Sequence, residues 1–356
     1  MTQAVTLAQL GGADTTLPFR NRIINGGMVI DQRNAGASIT NPGNNVYVVD
    51  RWQVNTGFTG SVGQNLGGVT PPAGYSNYLG MSVGSAGQSA SNYSFRQWIE
   101  GFNSADLLWG TANAKPITIS FWVRSSLTGQ FGISLQNEAG NRSYPFGYTI
   151  SAANTWQQVT VTVPGDTTGT WTGATNGYGL QLILSHGAAS ARQGTSGAWA
   201  AADYRSVTGQ VDLITTNGAT FYATGVQLEV GTQSTPFERR PYGFELALCQ
   251  RYCNVISFQG YETLIGVGHN LANSRILMDY PLCVQMRTQP SATLVGSASN
   301  IQNIGTGSWY GASSVGFSPN PYACRFDINY AAGYFTQNGS AETRITGGSV
   351  IISAEL

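Results

Sequence analysis

The sequence predicts an all-β protein: an antiparallel jelly-roll or β-sandwich domain, then a short helix and a smaller C-terminal β domain, with an extended N-terminal arm. Three observations predict it. Apolar residues recur at every second position in short runs, the runs are bounded by Gly, Pro, Asn or Thr clusters, and no helical stretch of about 10–15 residues separates them.

The elements follow in chain order. Residues 1–19 show no period and carry Gly11 beside Gly12, which predicts an extended arm. ITISFWVR places Ile117, Ile119, Phe121 and Val123 on one face of a strand, with Thr118, Ser120, Trp122 and Arg124 on the other. WQQVTVTVPG turns Val159, Val161 and Val163 inward, GLQLILS turns Leu180, Leu182 and Leu184, and TGVQLEVG turns Val226, Leu228 and Val230. Such strands predict a sandwich over residues 20–240. PYGFELALCQRYC predicts a helix over 241–253, with Pro241 near its start and Leu246, Leu248, Cys249 and Tyr252 facing a core. After it TLIGVG, RILMDYPL, ATLVGS and GGSVIISAEL predict the strands of a second domain, so that helix and strands together occupy 241–356.

Composition narrows the function. At about 150 residues per domain, 356 residues make two or three domains. Only 10% of them are charged, against roughly 25% in an ordinary soluble domain, and 17 acids cancel 17 bases. That balance excludes a generic nucleic-acid binder and a polybasic membrane-surface protein. Gly numbers 46, about 13% against a usual 7% or so, yet has no Gly-X-Y period, which excludes collagen. Lys115 is the sole lysine, so Asn, Gln, Ser, Thr and Gly must cover the surface; such a surface suits partner subunits or neutral polar ligands. No apolar run reaches the roughly 18 residues of a membrane span, and the N-terminus has neither the basic nor the apolar region of a secretory signal. Synthesis and folding in a cytoplasm, without membrane insertion, are the expectation.

Catalytic and metal motifs are weak. Gly80, Ser82 and Gly84 spell a nucleophile elbow in GMSVG, but SAGQSAS follows where the elbow needs a helix. His186 and His269 stand far apart with no partner at metal spacing. Cys249, Cys253, Cys283 and Cys324 have no zinc-finger spacing and read as reduced thiols. The acid pairs Glu100 with Asp106 and Glu238 with Glu245 read as turn residues or as partners of Arg96, Arg239 or Arg240, not as a glycosidase pair. The loop PGDTTG lacks recognisable calcium-ligand spacing. The expectation is a protein with no enzyme activity, cofactor or metal.

Aromatic residues in Gly/Ser/Thr loops carry the remaining signal. They are Trp171 and Tyr178 in GTWTGATNGYG, Trp199 in SGAWAA, and Trp309 with Tyr310 in GTGSWYGASS. A ring face packs on the C–H face of a pyranose while neighbouring amides and hydroxyls bond its hydroxyl groups, so these five residues are candidate glycan contacts. The alternative for each is to cap the sandwich or fill a subunit interface.

Three long stretches occur together: NRIINGGMVIDQRNAG with VVDRW at 21–52, ADLLWGTANAKPITISFWVRSSLTGQFGISLQN at 105–137, and ATFYATGVQLEVGTQSTPFERRPYGFELALCQRY at 219–252. The combination resembles tailed-bacteriophage virion proteins, the tail fibres, tail spikes and head fibres whose jelly roll is similar to carbohydrate-binding modules. The resemblance covers residues 20–252 and carries no catalytic motif. It implies a structural virion protein assembled in the bacterial cytoplasm, a homotrimer docked on other virion proteins through its arm and adhering to host-surface polysaccharide, with the receptor-facing specificity in the C-terminal domain. A capsid decoration without a receptor and a depolymerase with an intersubunit carboxylate pair are the alternatives. Within the matching stretches Asp50, Arg51 and Trp52 read as a strand end, Gln97 and Glu100 as buried partners of an arginine, and Phe237, Arg239 and Pro241 as fastening the last strand to the helix.

Overall fold

The computed structural model describes residues 19–86, 92–257, 263–272, 274–304, 308–330, 335 and 339–356. The arm expected over 1–19 lies outside the described residues except for Phe19. By contacts the chain divides into two units, one running to Pro241 and taking in Leu356, the other Tyr242–Glu355.

The first unit is a sandwich of two six-stranded antiparallel sheets over one core. One sheet runs in the order Ile39–Thr40, Gly60–Gln64, Leu79–Val83, Thr220–Val230, Ile117–Ser125 and Gln157–Val163. The other runs Val46–Val49, Trp52–Val54, Tyr93–Glu100, Tyr178–Gly187, Gly129–Asn137 and Ser143–Ile150. From Gly60 onward the chain repeatedly crosses between the sheets, as a jelly roll does. Alternation decides what each strand buries: Ile117, Ile119, Phe121 and Val123 are all 0% exposed and meet Leu180, Leu182 and Leu184 of the facing sheet in the same core.

One strand changes phase. In Thr220–Val230 the residues Phe221 and Ala223 point into the core, and after an irregularity between Thr224 and Gln227 the inward residues are Val226 and Leu228. Gly225 sits there at φ +62° with the Tyr75 ring so close that a Cβ would lie 2.6 Å from it. Val230, expected inward, closes the strand 38% exposed, because pairing ends with it.

The first long stretch of the family resemblance acts as structure. Asn21 accepts the Leu228 N–H (3.0 Å) and donates to Val226 O (3.1 Å), lacing residues 21–23 along the bulged strand. Gly26 is required there, since a Cβ would stand 2.1 Å from Val226 O. Asn25 bonds Ile30 in both directions (3.0 and 2.8 Å) and its carbonyl takes the Trp52 indole N–H (3.0 Å). Gln97 serves the same end: its amide bonds the Ile24 N–H and C=O (2.9 and 2.8 Å), where the sequence had suggested an arginine.

The second unit opens with the helix Tyr242–Gln250. Its buried stripe is Glu245 and Cys249, continued by Tyr252, while Leu246 and Leu248 flank the stripe and are only half-buried. Leu246 and Leu248 lie on opposite edges of that stripe, each sharing a face with only part of it. A three-stranded sheet follows (Cys253–Ser257, Ser349–Ser353, Ser291–Val295). A seven-stranded sheet runs Trp309–Gly311, Ile301–Ile304, Ser340–Ile345, Thr263–Ala272, Arg275–Pro281, Ala323–Asn329 and Ser314–Pro319. Ile276, Met278, Phe326, Ile328, Val350 and Ile352 belong to this unit's own core.

Candidate functional site

The structure brings Trp171 and Trp199 together and adds Trp109, which the loop pattern did not single out. Their ring centroids lie 4.8, 5.2 and 5.6 Å apart, all edge-on. Each indole N–H is already engaged: Trp109 donates to Lys115 O (2.7 Å), Trp199 to Pro164 O (2.8 Å) and Trp171 to the Asp166 carboxylate (2.9 Å). Asp166 is 1% exposed and also accepts both arms of Arg142 (2.8 and 2.5 Å) and the Gly169 N–H (3.1 Å). Burial raises its pKa, but the bonds from Arg142 and Trp171 outweigh burial and hold the carboxyl below the usual range. Asp166 is therefore an anchor for Trp171, with its oxygens spent on donors a calcium ion would have to displace.

Beside this cluster Ser104, Leu107, Leu108, Trp109, Trp171 and Thr172 line a cavity of about 170 Å³. That is well below the roughly 300–1,000 Å³ of sites for drug-sized ligands.

Tyr178 leads to a different surface. Its ring packs edge-on against Trp98 at 4.7 Å, on the outer face of the sheet, away from the core. Alternation puts Phe95 and Ile99 inside and Arg96 and Trp98 outside, while Leu180, Leu182 and Leu184 go inside and Gln181 goes out. Gln181 lies directly opposite Trp98 on one neighbouring strand and Gln136 on the other. Part of this outer face is covered by the chain between Ala188 and Thr216: Ser134 donates to Tyr204 O (2.6 Å), Ser143 to Ala202 O (2.6 Å), and the Val211 N–H to Gln130 O (2.7 Å). Beside the covered part lie Gln53, Arg96, Trp98, Tyr178 and Gln181. Tyr178 is 36% exposed, Trp98 and Arg96 are half-buried, and the Gln181 amide nitrogen is buried without a hydrogen-bond partner.

Trp309 and Tyr310 belong to the second unit. The Arg344 guanidinium sits over the Trp309 ring at 3.9 Å, occupying a face that a sugar ring would use, and donates to Gln302 Oε1 (2.8 Å). Tyr310 meets Phe335 edge-on at 6.2 Å. These two rings are side by side in sequence but are held by different partners.

The remaining candidates find structural roles. Ser82 lies inside the strand Leu79–Val83, which continues past it instead of turning at the serine as an elbow does. His186 is 2% exposed between the Phe95 and Phe221 rings, and its Nε2 accepts the Phe95 N–H (3.1 Å). Asp106 pairs with Arg22 at 2.6 Å, and Glu238 takes the Asn21 N–H at 2.7 Å. The four cysteines form no disulfide, and among the described residues no three His, Cys, Asp or Glu side chains gather at metal-binding distance.

The face carrying Trp98, Tyr178 and Arg96 thus combines partly exposed ring area with a guanidinium bonded to neutral amides, while Gln53 and Gln181 beside them are buried. Trp98, Arg96 and Gln181 lie within strands, where a loop-aromatic pattern does not reach. The signal was present in RQWIE and GLQLILS, where alternation against inward Phe, Ile and Leu puts Arg, Trp and Gln on one shared outer face.

No protein-family model matches the chain, and no curated protein does. Solved structures do. The enzymatically active domain of bacteriophage CBA120 tailspike protein 4 is 15% identical with TM-score 0.32, over 60% of this chain and 22% of that one. The family 11 carbohydrate-binding module of a Clostridium thermocellum cellulosomal cellulase is 12% identical with TM-score 0.26, over 56% and 98%. The xylohexaose complex of Clostridium thermocellum xylanase 10B, with its N-terminal binding module, is 13% identical with TM-score 0.28, over 55% and 28%. This chain therefore spans about a fifth of the tailspike domain it matches.

Proposed function

We propose that the protein is a non-enzymatic structural component of a tailed-phage virion, a homotrimeric fibre or spike that adheres to host-surface glycans. The observation that carries the adhesion is the outer sheet face on which the Trp98 and Tyr178 rings stand beside Gln53, Arg96 and Gln181. A ring pair offers the apolar C–H face of a sugar about the area it needs, and the half-buried Arg96 guanidinium bonds its hydroxyls. The virion setting rests on the three sequence stretches at 21–52, 105–137 and 219–252, and on a surface with one lysine and 10% charged residues that suits close-packed subunits. Several copies per particle multiply a weak single-site affinity. In this reading the arm docks on the particle, after assembly in the bacterial cytoplasm.

The test is a glycan array with the purified full-length protein, with reducing-end release followed in the same wells. Binding without release is the expected result. Release of sugar ends would replace the adhesin by a depolymerase, and absence of binding to any glycan would replace it by a capsid decoration.

A further inference from the structure

On the Trp98–Tyr178 face one guanidinium is held by neutral amides and by no carboxylate among the described residues. Arg96 donates Nε to Gln53 Oε1 (2.7 Å) and Nη2 to Asn45 Oδ1 (2.8 Å), both neutral amides, and has no carboxylate partner among the described residues. Arg192 and Arg205 share one carboxylate, Asp203, which Arg205 Nε meets at 2.8 Å and which also accepts the Gln136 amide. Burial lowers the Arg96 pKa, and repulsion from Arg205 lowers it further. Tyr47 spends its hydroxyl on Leu356 O (2.6 Å). Glu100, next on the Trp98 strand, is 1% exposed. Asp203 thus serves Arg192 and Arg205, while Arg96 is held by neutral amides. A guanidinium without a carboxylate, standing beside two partly exposed rings, selects a ligand that carries negative charge on an apolar ring.

We infer that this face recognises an acidic sugar, with the Arg96 guanidinium engaging the anionic group while Trp98 and Tyr178 carry the ring. The planar fork of Arg96 matches a carboxylate bidentately, and its half-buried position strengthens that pairing over one in bulk water. The inference rests on the adhesion reading and names its ligand class.

The experiment compares bacterial polysaccharides containing uronic acids with the same polysaccharides after chemical reduction of the carboxyl groups, beside neutral glucans. Full-length wild type, Arg96→Gln and Arg96→Lys are used, each checked for folding by thermal unfolding. Binding to the acidic polymers is expected to fall about ten-fold or more on carboxyl reduction, and comparably in Arg96→Gln, with partial recovery in Arg96→Lys and progressive weakening in salt. Equal binding of reduced and unreduced polymers would overturn the acidic specificity and leave adhesion standing. No binding to any polymer would overturn adhesion and the specificity with it. The carboxyl-reduction arm needs no variant, so it decides the matter even if Arg96→Gln fails to fold.

Discussion

His186 sits where protonation has no favourable partner. Packed 4.4 Å from both the Phe95 and Phe221 ring centroids, it accepts a backbone N–H through Nε2, and burial pushes its pKa down to about 3. Between pH 6.5 and about 3 the unfolded chain takes up a proton at this site that the fold refuses, so stability falls as pH falls through that window. Asp166 contributes separately: its lowered pKa makes its stabilisation complete above the ordinary carboxylate value of 3.8, and lost as pH falls through the folded value below that. His186→Gln keeps an acceptor for Phe95 and cannot titrate. Its melting temperature is expected to vary less than wild type between pH 6.5 and 4.5, and parallel profiles would contradict this role for His186. At the same scale the loop aromatics were legible one by one and their partners were not. Nothing in SGAWAA announces that Trp199 meets Trp109 and Trp171, because that contact is made across loops remote in sequence.

Elements were more legible than residues. Strict alternation in ITISFWVR, WQQVTVTV and GLQLILS foretold which side chains enter the core, because a strand has one period and two faces. The pattern failed in TGVQLEVG, where the irregularity beside Gly225 shifts the phase, and in the helix, where buried Glu245 takes the stripe that leucines had suggested. Phe121 and Val230 separate the two cases. Phe121→Ala removes a fully buried ring and is expected to destabilise the sandwich by about 3–5 kcal/mol, whereas Val230→Ala, 38% exposed at a strand end, is expected to cost under about 1 kcal/mol. Denaturant unfolding of the two variants checks this, and similar losses would contradict the assigned phase. The same alternation placed Arg96, Trp98 and Gln181 on a shared outer face, which is why a candidate site can be hidden in strands that were read only for their apolar half.

At the scale of the whole molecule, the all-β class was legible because it depends on many short runs agreeing, and an error in one strand leaves the others standing. Assembly depends on surfaces that a single chain does not pair. The homotrimer proposed here predicts a sedimentation mass near three times 37.7 kDa. A clean monomer or dimer at micromolar concentration would contradict it.

The central claim is that the outer sheet face binds glycan. The most direct measurement is glycan-array binding of full-length wild type, Trp98→Ala, Tyr178→Ala and Trp309→Ala side by side, with melting temperatures confirming that each is folded. Loss of about ten-fold or more in Trp98→Ala and Tyr178→Ala, with Trp309→Ala near wild type, is the predicted result. Binding that survives in Trp98→Ala and Tyr178→Ala and disappears in Trp309→Ala would contradict the account and move the site to the second unit.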